Sequence, residues 1–178
     1  SLVGITGALH LDGFLDTCDG LAGHRSVEER WQIMHDSRAG GFGVIGVSVL
    51  LLVKYISLTN VPSQLLTWIL VLAPVLSRWA MVYAIFAYPY ARPSGLGKAF
   101  KERASWPRFT IATVITVALA WVILQMTGIV VMVGIWVMVV IVATYLKHKF
   151  AGLTGDTYGA INEVAEVFVL IIICLIAR

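Results

Sequence analysis

The chain has 178 residues, of which 59% are hydrophobic and only 13% charged, with a mean hydropathy of +0.88. Soluble domains carry about 25% charged residues, so this composition excludes a water-soluble domain, a disordered chain and a disulfide-stapled secreted scaffold, and it marks an integral membrane protein. The net charge of +3 comes without any run of Lys and Arg interleaved with aromatics, which excludes nucleic acid as a partner, and the two cysteines, Cys18 and Cys174, imply neither a disulfide framework nor a zinc site.

In chain order, residues 1–20 read as the last part of a helix in which Leu2, Val3, Ile5 and Leu9 give way to acids. The chain begins at Ser1 inside that pattern, so a preceding N-terminal piece is expected. Apolar stretches follow at 41–58, 64–88, 109–127 and 129–146, and a fifth at 160–177 is apolar except for Glu163 and Glu166. Each approaches the roughly 20 residues that a helix needs to cross a bilayer. None shows the period-2 alternation of a barrel strand. The expectation is one all-α domain over 1–178, a polytopic transmembrane helical bundle of about five full spans plus a partial N-terminal helix.

The connections alternate in character. Segments 21–40, 89–108 and 147–159 hold Arg25, Arg30 and Arg38, then Arg92, Lys98, Lys101, Arg103 and Arg108, then Lys147 and Lys149. The short links near 59–63 and 127–129 hold no charge. Five crossings put all three long loops on one side, and the positive-inside rule makes that side cytoplasmic, hence a multi-pass protein of the cytoplasmic (inner) membrane. The acids fall in the same loops or the helix ends beside them, with none expected at mid-membrane, so chemistry is expected at the cytoplasmic face.

Three patches carry that chemistry. The first is GALHLDGFLDTCDGL, where Asp12, Asp16 and Asp19 are spaced i, i+4, i+7 and share an arc of about 60° on a helix. Neighbouring carboxylates about 6 Å apart repel by roughly 3 kcal/mol at an effective dielectric near 20. Protons or cations must offset this beside lipid, and an all-oxygen ligand set suits Mg²⁺ or Mn²⁺. The second is MHDSRAGGFG, where Asp36 and Arg38 precede a glycine-rich helix start suited to an anion. The third is AGLTGDTYGAINEVAE, where Asp156, Glu163 and Glu166 share one broad helical face. Carboxylates among Val, Phe, Leu and Ile are costly and point to function unless they pair with a base. His10 is a candidate base or supporting partner, and Arg78, inside an apolar segment, needs a partner. Because the first and last helices must offer acids at one membrane face, they are expected to pack as neighbours, with Gly155 and Gly159 allowing close approach.

Together the three patches, in this order and spacing, resemble the cobalamin-5′-phosphate synthase family, also called adenosylcobinamide-GDP ribazoletransferase, essentially from Gly4 to the end. Phe14, Cys18 and His35 depart mildly from the family pattern, and the family's N-terminal region is absent. The resemblance implies an enzyme of late cobalamin assembly that joins adenosylcobinamide-GDP to α-ribazole, or its 5′-phosphate, and releases GMP, with Mg²⁺ as cofactor. It implies attack of the ribazole hydroxyl on the phosphoryl group of the cobinamide arm with in-line departure of GMP. On this reading Asp12, Asp16 and Asp36 are the leading metal ligands, with Asp19, Asp156 and Glu163 completing the shell. His10, Arg38 and Glu166 are expected in catalysis, and Arg25, Ser37, Arg38, Thr154 and Asn162 against substrate. Membrane lipid is a partner, and self-association into a homo-oligomer is left open.

Two other classes fit parts of the pattern. A membrane CDP-alcohol phosphotransferase also clusters aspartates, but the Ala-Arg step of its D-G-x-x-A-R pattern is missing after Asp12-Gly13. A cation or proton transporter would place its acids near the bilayer midplane at broken helices.

Overall fold

The computed structural model describes residues 7–176. Leu2, Val3 and Ile5, expected to open the partial N-terminal helix, lie outside the described residues. Seven helices follow: α1 (Leu9–Leu21), α2 (Val27–Ile33), α3 (Gly41–Asn60), α4 (Ser63–Ala87), α5 (Leu96–Glu102), α6 (Trp106–Phe150) and α7 (Gly155–Ile176). The described residues contain no sheet, only a single bridge between Tyr90 and Leu153.

Local chemistry sets the helix starts. Ser26 and Glu29 form a reciprocal capping box at α2. Pro107 occupies the first turn of α6, where its missing N–H costs nothing. At α7, Thr154 and Thr157 bond reciprocally through side chain and backbone, at 2.7 Å and 3.3 Å. Helix α7 is the hub and touches α1, α3, α4, α5 and α6. The core it organises includes Ile69, Leu72 and Leu76 of α4, Val131, Ile135 and Val139 of α6, and Ile161 and Val169 of α7, all without solvent exposure. Large apolar side chains such as Ile45 and Leu52 of α3 and Val122 and Ile141 of α6 point outward, as expected where lipid replaces water.

Four helices are long and apolar enough to cross a membrane: α3, α4, α6 and α7. This corrects the expected five spans plus a partial helix, and α6 supplies the reason. It runs 45 residues without a charge before Lys147 except Arg108, which straight would measure about 68 Å. It is not straight: Gln125 takes φ 53° and ψ −137°, and Gly128 packs on the backbone carbonyl of Ala120 so closely that a Cβ would not fit. Eight residues along a straight helix would be about 12 Å apart, so the chain folds back at Gln125. Val117 from one half and Ile129 and Met132 from the other line a single cavity beside Trp79. Phe109 and Thr144, from opposite ends of α6, both meet the C-terminal end of α4, through Phe86 and Tyr88. The expected stretches 109–127 and 129–146 are thus the two arms of one helical segment.

The three charged loops meet at one end of the bundle. Trp31 Nε1 donates to the Phe150 carbonyl at 3.2 Å, and the backbone of Leu153 pairs with Pro89 and Ala91 at 2.9 Å and 2.8 Å.

Candidate active site

The site is built on the loop end of α1. Arg30, 5% exposed, closes the C-terminus of that helix by donating to the carbonyls of Gly20, Gly23 and Arg25 at 2.6–3.2 Å. This cation meets the carbonyls and the negative dipole end that a helix leaves unsatisfied. In the same last turn, buried Asp19 accepts from the backbone N–H groups of Gly40 and Gly43, each at 2.8 Å. Asp19 is therefore the N-terminal cap of α3, delivered from 21 residues upstream. A Cβ at Gly43 would stand 2.5 Å from its carboxylate, which explains the glycines there.

Further along α1, Gly13 lies against the backbone of Asp156 and Gly159 against the backbone of His10. The first and last helices are packed neighbours, with Gly13 and Gly159 at the contact. Gly155 instead faces Gly97 of α5. This contact carries the exposed Asp12 and half-buried Asp16 toward the first turn of α7. Asp16, on a helix outside the four spans, is pushed up to about 7 by burial and by the negative charges of Asp12, Asp156 and Asp19, against a smaller opposing pull from Arg92. A cation there would relieve that repulsion.

The other expected residues are placed as follows. Asp36 and Arg38 form an exposed pair at 2.8 Å, and the hydrogen bonds from Arg38 hold the Asp36 carboxyl down at about 2. With exposed Arg25 they line an open groove of about 470 Å³ that reaches Asp19 and Gly40, and Ser37 is exposed on the same loop. Thr154 is buried in the α7 cap. Asn162 is buried, with its amide nitrogen 3.4 Å from Glu163 and its carbonyl oxygen without a partner among the described residues. His10 makes no side-chain hydrogen bond among the described residues.

Glu163 and Glu166 do not stand at a loop margin. They lie about 12 Å and 17 Å along α7 from Gly155, and Lys54 of α3 donates to both, at 2.6 Å and 2.9 Å. The expectation that no acid lies at mid-membrane is corrected: the bundle interior holds a buried Lys–Glu–Glu triad. Lys54 escapes notice in the sequence because one lysine in an otherwise apolar 20-residue helix reads as a tolerated interruption. Its signal is that an intramembrane cation needs a partner, and Glu163 and Glu166 were the available acids. Arg78 has no carboxylate within ion-pair distance among the described residues and donates to Ser77 at 3.1 Å. Arg92 is read in the sequence as part of a basic loop explained mostly by topology, and its acidic partner is not evident there. It lies 3.4 Å from Asp156.

Among the described residues no three of His, Cys, Asp and Glu are arranged to enclose a metal ion. The donors still have the right chemistry for Mg²⁺: among the described residues the carboxylates of Asp12 and Asp16 make no hydrogen bond or ion pair, and that of Asp156 holds only the long contacts to Arg92 and, at 3.5 Å, Thr154. Hard carboxylate oxygens with room for several waters are what Mg²⁺ accepts. Asp19, Asp36 and Glu163 are engaged elsewhere.

Fold and site together define a multi-pass, all-helical membrane protein with an aspartate-lined face where its charged loops converge. The chain belongs to the cobalamin-5-phosphate synthase family, whose model matches residues 1–174. It is 39% identical over 173 residues to the adenosylcobinamide-GDP ribazoletransferase of Roseiflexus sp., covering 97% of this chain and 64% of that protein. The ribazoletransferases of Desulforamulus reducens and Thermosynechococcus vestitus are 35% and 38% identical, with 98% and 94% of this chain covering 70% and 67% of theirs. The chain thus spans about two thirds of the length of these relatives. No solved structure matches it significantly.

Proposed function

We propose that this chain is the catalytic part of a transferase that joins adenosylcobinamide-GDP to α-ribazole, or its 5′-phosphate, with release of GMP. The observation that carries the reading is the seating of Asp12 and Asp16 beside Asp156 through the Gly13–Gly159 contact, in a chain of this family. Convergence of the three basic loops at that end supports a cytoplasmic active face in the inner membrane.

Mg²⁺ held by Asp12, Asp16 and Asp156 would supply charge neutralisation at the phosphoryl oxygens. Asp19 fixes the start of α3 and with it the Gly40–Gly43 rim of the groove. Arg38, 87% exposed in its side chain, is free to swing from Asp36 onto the departing GMP phosphate. A loop-end carboxylate takes the proton of the attacking hydroxyl, because His10, two residues before Asp12, lies on another face of α1, toward Arg78, Glu163 and Glu166. Glu163 and Glu166 hold α3 to α7 through Lys54 and leave the chemistry to the loop-end acids.

The test is GMP release when purified protein, Mg²⁺ and both substrates are mixed, with CDP-alcohol turnover and cation flux as counter-assays. Turnover only in the first assay supports the reading. Activity only in a counter-assay overturns it.

A further inference from the structure

Arg92 is half-buried, with a side chain only 14% exposed. Its Nη1 lies 3.4 Å from Asp156 Oδ2, while Nε and Nη2 are buried and have no hydrogen-bond partner among the described residues. A charge-assisted hydrogen bond spans about 2.7–2.9 Å, so Asp156 meets little of what the guanidinium requires. Leaving charged donors buried and unpaired is costly. Nor is this a floppy surface side chain that strayed inward. Pro89 and Ala91 are bonded to the backbone of Leu153, and Gly97 of the following helix packs on Gly155. The segment therefore holds the Arg92 fork beside the first turn of α7, a 22-residue helix whose N-terminus favours anions.

We propose that Arg92 is a phosphate-binding residue that receives the phosphoryl oxygens of a nucleoside diphosphate group at the α7 end of the site. The planar fork of unpaired N–H donors matches phosphate bidentately. The carboxylates of Asp156, Asp16 and Asp12 nearby exclude a bare carboxylate ligand by repulsion and favour an anion that arrives with a divalent cation, as diphosphates do. Arg38, exposed on the groove that reaches Asp19 and Gly40, is left to hold another part of the same ligand. The proposal rests on the transferase reading for the identity of the diphosphate.

The test measures GDP binding to the full chain in detergent with Mg²⁺ by titration calorimetry, for wild type, Arg92→Gln and Arg92→Lys, alongside melting temperatures without ligand. The proposal expects Kd for GDP to rise at least about tenfold in Arg92→Gln, the scale of one lost charged hydrogen bond, with a smaller rise in Arg92→Lys. Unliganded Arg92→Gln should melt close to wild type, since it sheds two unsatisfied buried donors together with the long Asp156 contact. Inorganic phosphate should compete with GDP in wild type and much less in Arg92→Gln. Unchanged GDP affinity in Arg92→Gln overturns the proposal. So does loss of binding that only tracks a lower unliganded melting temperature, in Gln and Lys variants alike. Arg92-dependent GDP binding by a protein that releases no GMP would overturn the transferase reading and leave the phosphate site standing.

Discussion

Replacing Lys54 by methionine leaves Glu163 and Glu166 facing each other in the bundle interior. In the native protein the Lys54 ammonium sits 2.6 Å and 2.9 Å from the two carboxylates, whose side chains are 7% and 10% exposed. Removing one partner of a buried ion pair costs about 3–5 kcal/mol, because the remaining charge stays desolvated. The two glutamates are three residues apart on α7 and at about 6 Å would add roughly 3 kcal/mol of repulsion if both stayed charged. Uptake of a proton caps that addition, so the expected loss is about 4 kcal/mol, a fall in melting temperature on the order of 10 °C for a chain of this size. Glu163→Gln should cost less, since Lys54 keeps Glu166. The triple variant Lys54→Met, Glu163→Gln, Glu166→Gln should recover most of the loss, because no uncompensated charge remains. The assay is thermal unfolding in detergent followed by tryptophan fluorescence. A Lys54→Met protein as stable as wild type, or a triple variant as damaged as the single, would refute a structural triad.

Asp19→Ala should destabilise by about 3 kcal/mol by stripping two charged caps from α3, with Asp19→Asn intermediate because its amide keeps one acceptor oxygen. Denaturant titration checks this, and an Asp19→Ala protein of native stability would contradict it. In metal-free protein, the Asp16 carboxyl sits at about 7 when folded against 3.8 unfolded, so the native state favours its protonated form. Its contribution to stability is complete below about pH 3.8 and is lost as pH rises through about 7. Melting temperature in EDTA should therefore fall over that window less steeply in Asp16→Asn than in wild type, and equal slopes would contradict the assignment. Cysteines introduced singly at exposed positions 28, 103 and 149 should all be labelled by impermeant reagent from one membrane face only. Labelling from opposite faces would break the shared-face topology.

Much of the site's placement was readable without coordinates, for a physical reason: loop charge reports sidedness, and helical spacing reports faces. Those two regularities bring Asp12, Asp16 and Asp156 to one end, and the small residues Gly13 and Gly159 allow the contact between their helices. What could not be read depended on partners distant in sequence. Asp19 looks like a third metal ligand by spacing, but its oxygens are taken by N–H groups 21 and 24 residues later. Glu163 looks like a ligand until Lys54, 109 residues earlier, is seen to hold it. The reversal at Gln125 falls a few residues before the short uncharged link expected near 127–129; what the sequence does not show is that the helix breaks at Gln125 and that Gly128 packs on Ala120.

GMP release from adenosylcobinamide-GDP and α-ribazole by Asp16→Asn, beside Asp12→Asn and Glu163→Gln, bears most directly on the proposed aspartate site. At saturating Mg²⁺, Asp12→Asn and Asp16→Asn should each lose at least about a hundredfold in turnover, as when a positioned electrostatic group is removed. The double variant should lose little more, because both residues serve one unit. Glu163→Gln should retain turnover within a few fold of wild type. Near-native turnover by Asp16→Asn, with activity abolished instead in Glu163→Gln at unchanged stability, would move the chemistry from the loop end to the bundle interior and contradict the site.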